Sequence, residues 1–292
     1  MKFIKIILLI AIFGYIFYDF DFSNLDFSKL SIVNIIETIL ILFIGQLILG
    51  VRFMKIIDLP FKNAYETIVI SNALNMFLPA RMGEIIKAVY LNKFYNYQYN
   101  KGLSAVFVER FFDVVMLLFV VLIWGYFYFT NETIKNSIII LTLSVLFIVL
   151  FFNSKFVLRF IPKFLLKFYL NINKSFKQSH ILIFWSFSLW VCYLFSYWSF
   201  FDFLTFSQIL ELFIFSTIAL SIPLAPAGIG TFEGIIVFYL GNYGINKEDA
   251  FLFASLYHFL IFIVDFMMFY LLLLSDKKFK SMKSLMKKVN NK

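Results

Sequence analysis

Six stretches of this chain stay apolar for about as long as a bilayer is thick, and that fixes the solvent in which most of it folds. They run roughly over 3–18, 32–51, 103–129, 134–152, 180–204 and 250–274. A helix needs about 20 mostly apolar residues to cross the hydrocarbon core. Composition agrees: 62% of residues are hydrophobic and 15% charged, against about 45–50% and about 25% in soluble domains. The fold class is therefore all-α, a polytopic membrane protein. Lys2 and Lys5 precede the first stretch, but no small-residue cleavage site follows it, only Tyr18-Asp19-Phe20-Asp21. It reads as an uncleaved helix rather than a signal peptide.

Two further apolar segments, about 64–91 and 208–240, are broken around Pro79-Ala80-Arg81-Met82-Gly83 and around Pro223 to Gly230. Proline removes a backbone donor and clashes inside a helix, and glycine admits positive φ. Each break reads as a sharp turn between two short helices. Loop charge decides whether these segments cross or return, because Lys and Arg collect on the cytoplasmic side. If both return, Lys2, Lys5, Arg52, Lys55, Lys62, Lys93, Lys101, the basic 153–178 segment and the basic tail 275–292 share one side. The acidic loop with Asp19, Asp21 and Asp26 then lies on the other. If both crossed, the 153–178 cluster would be stranded outside. The expectation is six full spans plus two re-entrant hairpins in one integral membrane domain. Both termini are expected on the cytoplasmic side of a cytoplasmic membrane. Charge alone leaves open whether each broken segment is a hairpin or two short spans. The 153–178 segment mixes apolar and basic residues and is expected to lie on the anionic leaflet.

An internal repeat joins the breaks. Pro79-Ala80-x-x-Gly83 matches Pro226-Ala227-x-x-Gly230 at an offset of 226 − 79 = 147. The same shift carries 32–51 onto 179–198 and 103–129 onto 250–276, both on apolar stretches. The half-repeats are about 32–129 and 179–276. With the hairpins entering from opposite faces, the repeat is inverted, a design that places sites at the repeat interface.

Ionisable residues inside membrane segments are costly and mark cavities or partners. The first break carries Arg81 and Glu84, with Asn72 and Asn75 before it and Lys87 after. The next span holds Glu109, Arg110 and Asp113, whose i, i+3 and i+4 spacings share a helix face. The second break offers Glu233, and the last span His258 and Asp265. Arg81 and Arg110 suit an anionic head group, since guanidinium makes paired bonds to phosphate oxygens. The alternative is that these charges merely neutralise one another and pin the hairpin. The hairpin turns are expected at Pro79, Gly83, Pro226, Gly228 and Gly230. One cysteine, Cys192, and two histidines exclude an internal disulfide and give no metal cluster. The net charge of +9 is accounted for by cytoplasmic loops rather than nucleic acid. No phosphate loop, zinc motif or nucleophile elbow is present, so no cofactor and no catalytic residue is expected.

At these residues the chain resembles a known family. Asn72-(x)6-Pro79-x-Arg81-x-Gly83-Glu84, followed by Val108-Glu109-Arg110-x-x-Asp113, is similar to the membrane region of lysylphosphatidylglycerol synthases and free-standing flippase-like proteins. Pro226-Ala227-Gly228-Ile229-Gly230-Thr231-Phe232-Glu233-Gly234 is similar to that family's Pro-Gly-Gly-x-Gly-x-x-Glu stretch. Ala227 departs from the usual glycine, and Tyr257-His258 stands where the family often has tyrosine-arginine. The resemblance implies lipid handling. In fused members a soluble domain loads an amino acid onto phosphatidylglycerol and the membrane part moves the product between leaflets. Here the chain is expected to lack that soluble transferase. The expected function is movement of an anionic or polyisoprenyl-phosphate-linked lipid, with Arg81, Glu84, Glu109, Arg110, Asp113, Asn72, Asn75, Glu233 and His258 binding its head group. The alternatives are a membrane-embedded transferase and a non-transporting partner of an envelope-biosynthesis enzyme.

Overall fold

The computed structural model describes residues 2–78, 81–128, 136, 139–140, 143–144, 163–222 and 224–275. Pro79, Pro223, most of the 134–152 stretch, the 153–162 part of the basic segment and the tail beyond 275 lie outside the described residues.

Helix α1 (Lys2–Phe17) leads into a loop that repeats Asp-Phe-Ser. Asp21 and Asp26 each cap a short 3₁₀ turn by accepting the N–H and hydroxyl of Ser23 or Ser28. The Ser23 N–H and hydroxyl hold the Asp21 carboxyl below the ordinary carboxylate range. The Ser28 hydroxyl and N–H do the same for Asp26. Helix α2 (Ile32–Ile57) is capped by Ser31 Oγ, which accepts the Asn34 N–H at 3.3 Å, and it ends at Asp58 in the left-handed region. The expected span stopped at residue 51, just before Arg52, and the helix continues past it. Pro60 then opens α3 (Phe61–Asn75), followed by α4 (Met82–Tyr95) and α5 (Tyr99–Tyr128). The second half holds α6 (Lys163–Phe176), α7 (Ser179–Phe200), α8 (Phe206–Ser221), a 3₁₀ turn at Pro226–Gly228, α9 (Thr231–Asn242) and α10 (Lys247–Ser275). The loop after α1 is tied to the start of α10, where Glu248 accepts the Asp21 N–H, and Asp249 accepts the Asp26 N–H and pairs with Lys29.

Among the described residues, three helices are long and apolar enough to cross a bilayer: α2, α7 and α10 over Lys247–Leu274. Helix α5 has the length, at 30 residues, but carries Glu109, Arg110 and Asp113 midway. Helices α2 and α7 form the centre, and they run antiparallel. Glu37 meets Ser199, the Ile41 carbonyl meets Cys192 and Arg52 meets Ser186, so numbers rise along one helix as they fall along the other. Gly45 lets them close: a Cβ there would sit 3.2 Å from Tyr193 and 3.6 Å from Cys192 Sγ. Small residues at helix crossings are how membrane helices gain packing where lipid removes the hydrophobic drive between them.

Sidedness follows the solvent. On α2, Ile36, Leu40, Ile44 and Leu47 are exposed, while Thr38, Gln46 and Arg52 are buried. In water that arrangement would be costly. In lipid, apolar side chains belong outside and polar ones against other helices. Helix α6 buries Tyr169, Ile172 and Phe176 and packs on α5, leaving Lys167 and Lys174 exposed. The described part of the basic segment thus spends much of its apolar face on protein.

Two glycines separate packing from propensity. A Cβ on Gly102 would meet Ala88 Cα at 2.8 Å, whereas one on Gly241 meets nothing within 4 Å. Gly102→Ala should cost about 1–3 kcal/mol by overpacking α4 against α5 and lower the melting temperature in detergent. Gly241→Ala should leave it unchanged or raise it by up to about 1 kcal/mol equivalent.

Candidate functional site

The densest polar group in the interior joins α2, α4 and α5. Arg52 is fully buried, and its guanidinium donates to Asp113 at 2.5 Å, to Glu109 at 3.2 Å and to Ser186 of α7 at 3.3 Å. Lys87, also buried, reaches Glu109 at 2.7 Å and Glu84 at 2.9 Å. Arg110 lies within 3.2 Å of Asp113, 3.4 Å of Glu109 and 3.6 Å of Glu84, and it is the partly exposed member. Three cations therefore face three carboxylates. Sequence reading finds Glu84, Glu109, Arg110 and Asp113 and mentions Lys87, but assigns Arg52 to a cytoplasmic loop. The structure corrects that assignment: Arg52 is the most deeply placed cation of the cluster. The available signal was helical periodicity, which places residue 52 on the same face of α2 as the buried Leu42, Gly45 and Leu49.

The first break is built on close approach. Asn75 Oδ1 accepts the Gly83 N–H at 2.8 Å, and a Cβ on Gly83 would lie 2.2 Å from the Ser71 carbonyl. Arg81 precedes α4 with φ +53, a left-handed conformation that costs a non-glycine residue about 1–2 kcal/mol. Its guanidinium donates to the Leu220 carbonyl at 2.9 Å, in the last turn of α8. A cation beside unsatisfied carbonyls at a helix C-terminus is favourable, and this bond ties one break to the other. Arg81 also lies within electrostatic reach of Arg110, Glu84 and Asp113. It makes no ion pair with a carboxylate among the described residues, so four cations share three carboxylates. Nearby, the Arg110 Nε is buried without a hydrogen-bond acceptor among the described residues.

The second break takes positive φ at Ala227 (+55), Gly228 (+80) and Gly230 (+86). Glu233 accepts the Gly230 N–H at 2.6 Å through one oxygen and pairs with His258 Nδ1 at 2.6 Å through the other. His258 is sandwiched by Phe232 and Phe262, with ring centroids at 4.5 and 4.4 Å. Glu233 and His258 are thus brought together, but on each other and apart from the ionic cluster. Asn72 also leaves the cluster: it donates to Gln46 Oε1 at 3.1 Å and faces Asp265. Two further contacts have no sequence signal of their own. Tyr95 donates to Glu66, and Tyr243 to Glu211, so a tyrosine–glutamate pair closes the open end of each hairpin. A cavity of about 460 Å³ lies at the C-terminal end of α2, lined by Met54, Lys55, Asp58, Leu59, Pro60, Gln178 and Ile181, away from these groups.

Removing Arg52 would leave Glu109 and Asp113 buried with too little positive charge. Arg52→Met should destabilise by about 3–5 kcal/mol, read as loss of the folded peak or a large drop in melting temperature in detergent. Adding Asp113→Asn should recover part of the loss, because one stranded charge is gone. Ala227→Gly should move the other way, raising stability by up to about 1 kcal/mol as left-handed strain is relieved.

Comparison with known proteins places the chain in a family. A UPF0104 membrane protein of Methanocaldococcus jannaschii is 29% identical, with 68% of this chain and 93% of that protein aligned. No solved structure matches the chain. The model of the lysylphosphatidylglycerol synthase TM region matches residues 2–268, and the chain belongs to that family of membrane proteins.

Proposed function

We propose that this protein moves an anionic or lipid-linked head group between leaflets, as a flippase-like transporter acting between its two broken helices. One observation carries the reading: Arg81 is a part-buried cation with no carboxylate of its own among the described residues, beside the partly exposed Arg110. An unbalanced cation inside a membrane is expensive, and a phosphate would balance it. In this model the phosphate displaces the Leu220 carbonyl from Arg81 and takes the exposed edge of Arg110. Glu84, Glu109 and Asp113 keep the remaining charge near zero. Acyl or isoprenyl chains stay in the surrounding lipid. Asn75 and Gly83 shape the first gate, and Pro226, Gly228, Gly230, Glu233 and His258 the second.

The same reading takes the domain as two inverted halves of one unit, with six spans, two re-entrant hairpins and both termini in the cytoplasm. Helix bounds support it. Adding 147 to the first residues of α2, α3, α4 and α5 gives 179, 208, 229 and 246, against observed starts of 179, 206, 231 and 247. The central crossing supports it too: Gly45 lies against Cys192, and 192 − 45 = 147, so equivalent residues meet where a two-fold axis would pass. Packing follows the same exchange, since α3 touches α10 as α8 touches α5. The hairpin arms have 15, 14, 16 and 12 residues, or about 18–24 Å at 1.5 Å each, short of the ~30 Å core. That favours re-entry over full crossing.

The test is movement of fluorescent phosphatidylglycerol, phosphatidylethanolamine and an isoprenyl-phosphate analogue in vesicles holding the purified protein. Arg81→Gln should slow an anionic lipid about tenfold or more, the loss of roughly one charged contact, with helicity unchanged. Equal rates in wild type and Arg81→Gln would remove Arg81 from the site. No movement of any lipid by folded wild type would count against transport and favour a partner or enzyme role.

A further inference from the structure

Among the described interior carboxylates, Asp265 is set apart by its partners. Glu84, Glu109 and Asp113 face cations; Glu233 has His258 and the Gly230 N–H; Glu66 has Tyr95 and Lys62. Asp265 has only neutral amides: Gln46 Nε2 donates to its Oδ1 at 2.7 Å and Asn72 Nδ2 at 3.4 Å. No cation pairs with it, and its Oδ2 has no hydrogen-bond partner among the described residues. It sits well inside α10, eighteen residues from the helix start at Lys247. A carboxylate kept ionised there without a cation is costly. The low-cost state is one with a positive ion added, and the smallest such ion, a proton, needs no further ligands.

Among the described residues, no cation competes for that role. From α3, Tyr65 faces it, but its hydroxyl bonds to Met268 Sδ at 2.9 Å. From α7 the titratable neighbour is Tyr193. From α4, Tyr90 enters the same apolar cluster as Met268. Arg52 of α2 and His258 of α10 itself are each engaged with their own carboxylates.

We propose that Asp265 is a proton-binding site whose charge state sets the position of the first hairpin. Ionised, it accepts from Asn72 and Gln46 and holds α3 against α10 and α2. On taking a proton from water, the carboxylate becomes a neutral acid with one O–H donor, its hold on the two amide donors weakens, and α3 is freed. Asn72 lies one turn before Asn75, whose side chain holds the Gly83 N–H, so the release is transmitted to the break carrying Arg81. Coupled to transport, this makes a proton gradient the energy source, and that part rests on the function proposed above.

Two measurements separate the site from the transport reading. The first is infrared titration of the reconstituted protein from about pH 5 to about pH 9. A protonated-carboxyl band should appear as pH falls, shift in Asp265→Glu and vanish in Asp265→Asn. Absence of such a band across the range, or its persistence in Asp265→Asn, overturns the proton site whether or not lipid moves. The second imposes one unit of pH difference across the vesicles. Wild type should accumulate the lipid by up to about tenfold for each proton carried, while Asp265→Asn should only equilibrate it. A titrating band with lipid movement indifferent to pH overturns the coupling. The same accumulation driven by a sodium gradient at equal pH overturns the choice of ion.

Discussion

The contact of Arg52 with Glu109 and Asp113 is the constraint on which the interior depends. A guanidinium in the middle of a helix bundle, away from water, must be matched by carboxylates placed within about 3 Å, and those carboxylates by it. Because Arg52 is on α2, both acids on α5 and Ser186 on α7, one side chain fixes three helices. Lys87 extends the constraint to α4, and its stem packs near the Phe53 ring, with Nζ 5.4 Å from the centroid. The first hairpin is therefore held at its returning arm by charge and at its entering arm by the amides around Asp265. Shape at the break is left to small residues, because α3 and α4 approach so closely at Gly83 that no side chain fits.

The second half solves the same geometric problem with far less charge. Its hairpin is shaped by three residues of positive φ, Ala227, Gly228 and Gly230, and by one buried pair, Glu233 with His258. Where the first half puts Arg81 in the left-handed region, the second, at the position 147 further on, puts Gly228. The two breaks thus share a left-handed residue at this position but not its side-chain chemistry. In the first, the strained residue carries a guanidinium; in the second, it carries nothing. The Arg81 bond to the Leu220 carbonyl then joins the charged break to the end of the uncharged arm. A displacement of either hairpin must break or stretch that bond.

How much of this could be read from the sequence depends on whether the signal was local. Apolar length set the helices, and Pro and Gly marked both breaks to within a residue or two. Glu109, Arg110 and Asp113 advertised themselves by being charged inside an apolar run. Arg52 did not, because it falls five residues before the end of α2, where a falling hydropathy looks like the end of a span. Gln46 is neutral and drew no notice, and its partner Asp265 is 219 positions away. The tyrosine–glutamate pairs were invisible for a similar reason: sixteen tyrosines are spread along the chain, and only the fold selects Tyr95 and Tyr243. Ala227 shows the reverse. Sequence marked it as a departure from the family's glycine, and the structure gives the departure a physical cost by placing it at φ +55.

Charge balance also argues about what the described conformation represents. With Arg81 on a carbonyl rather than an anion, the ionic cluster and the first break together are one negative charge short of neutral. Asp265 also lacks a cation among the described residues, and its partners are Gln46 and Asn72, not either arginine. The interior therefore holds an unspent positive charge at the breaks and an unspent negative charge among α2, α3 and α10. On the proposed function these complete each other only through what crosses: an anion at Arg81 and a proton at Asp265. Binding one without the other changes the interior charge by a full unit, which the low-dielectric surroundings oppose. Binding both leaves it unchanged. That difference would favour the two moving together, and it needs no contact between the sites.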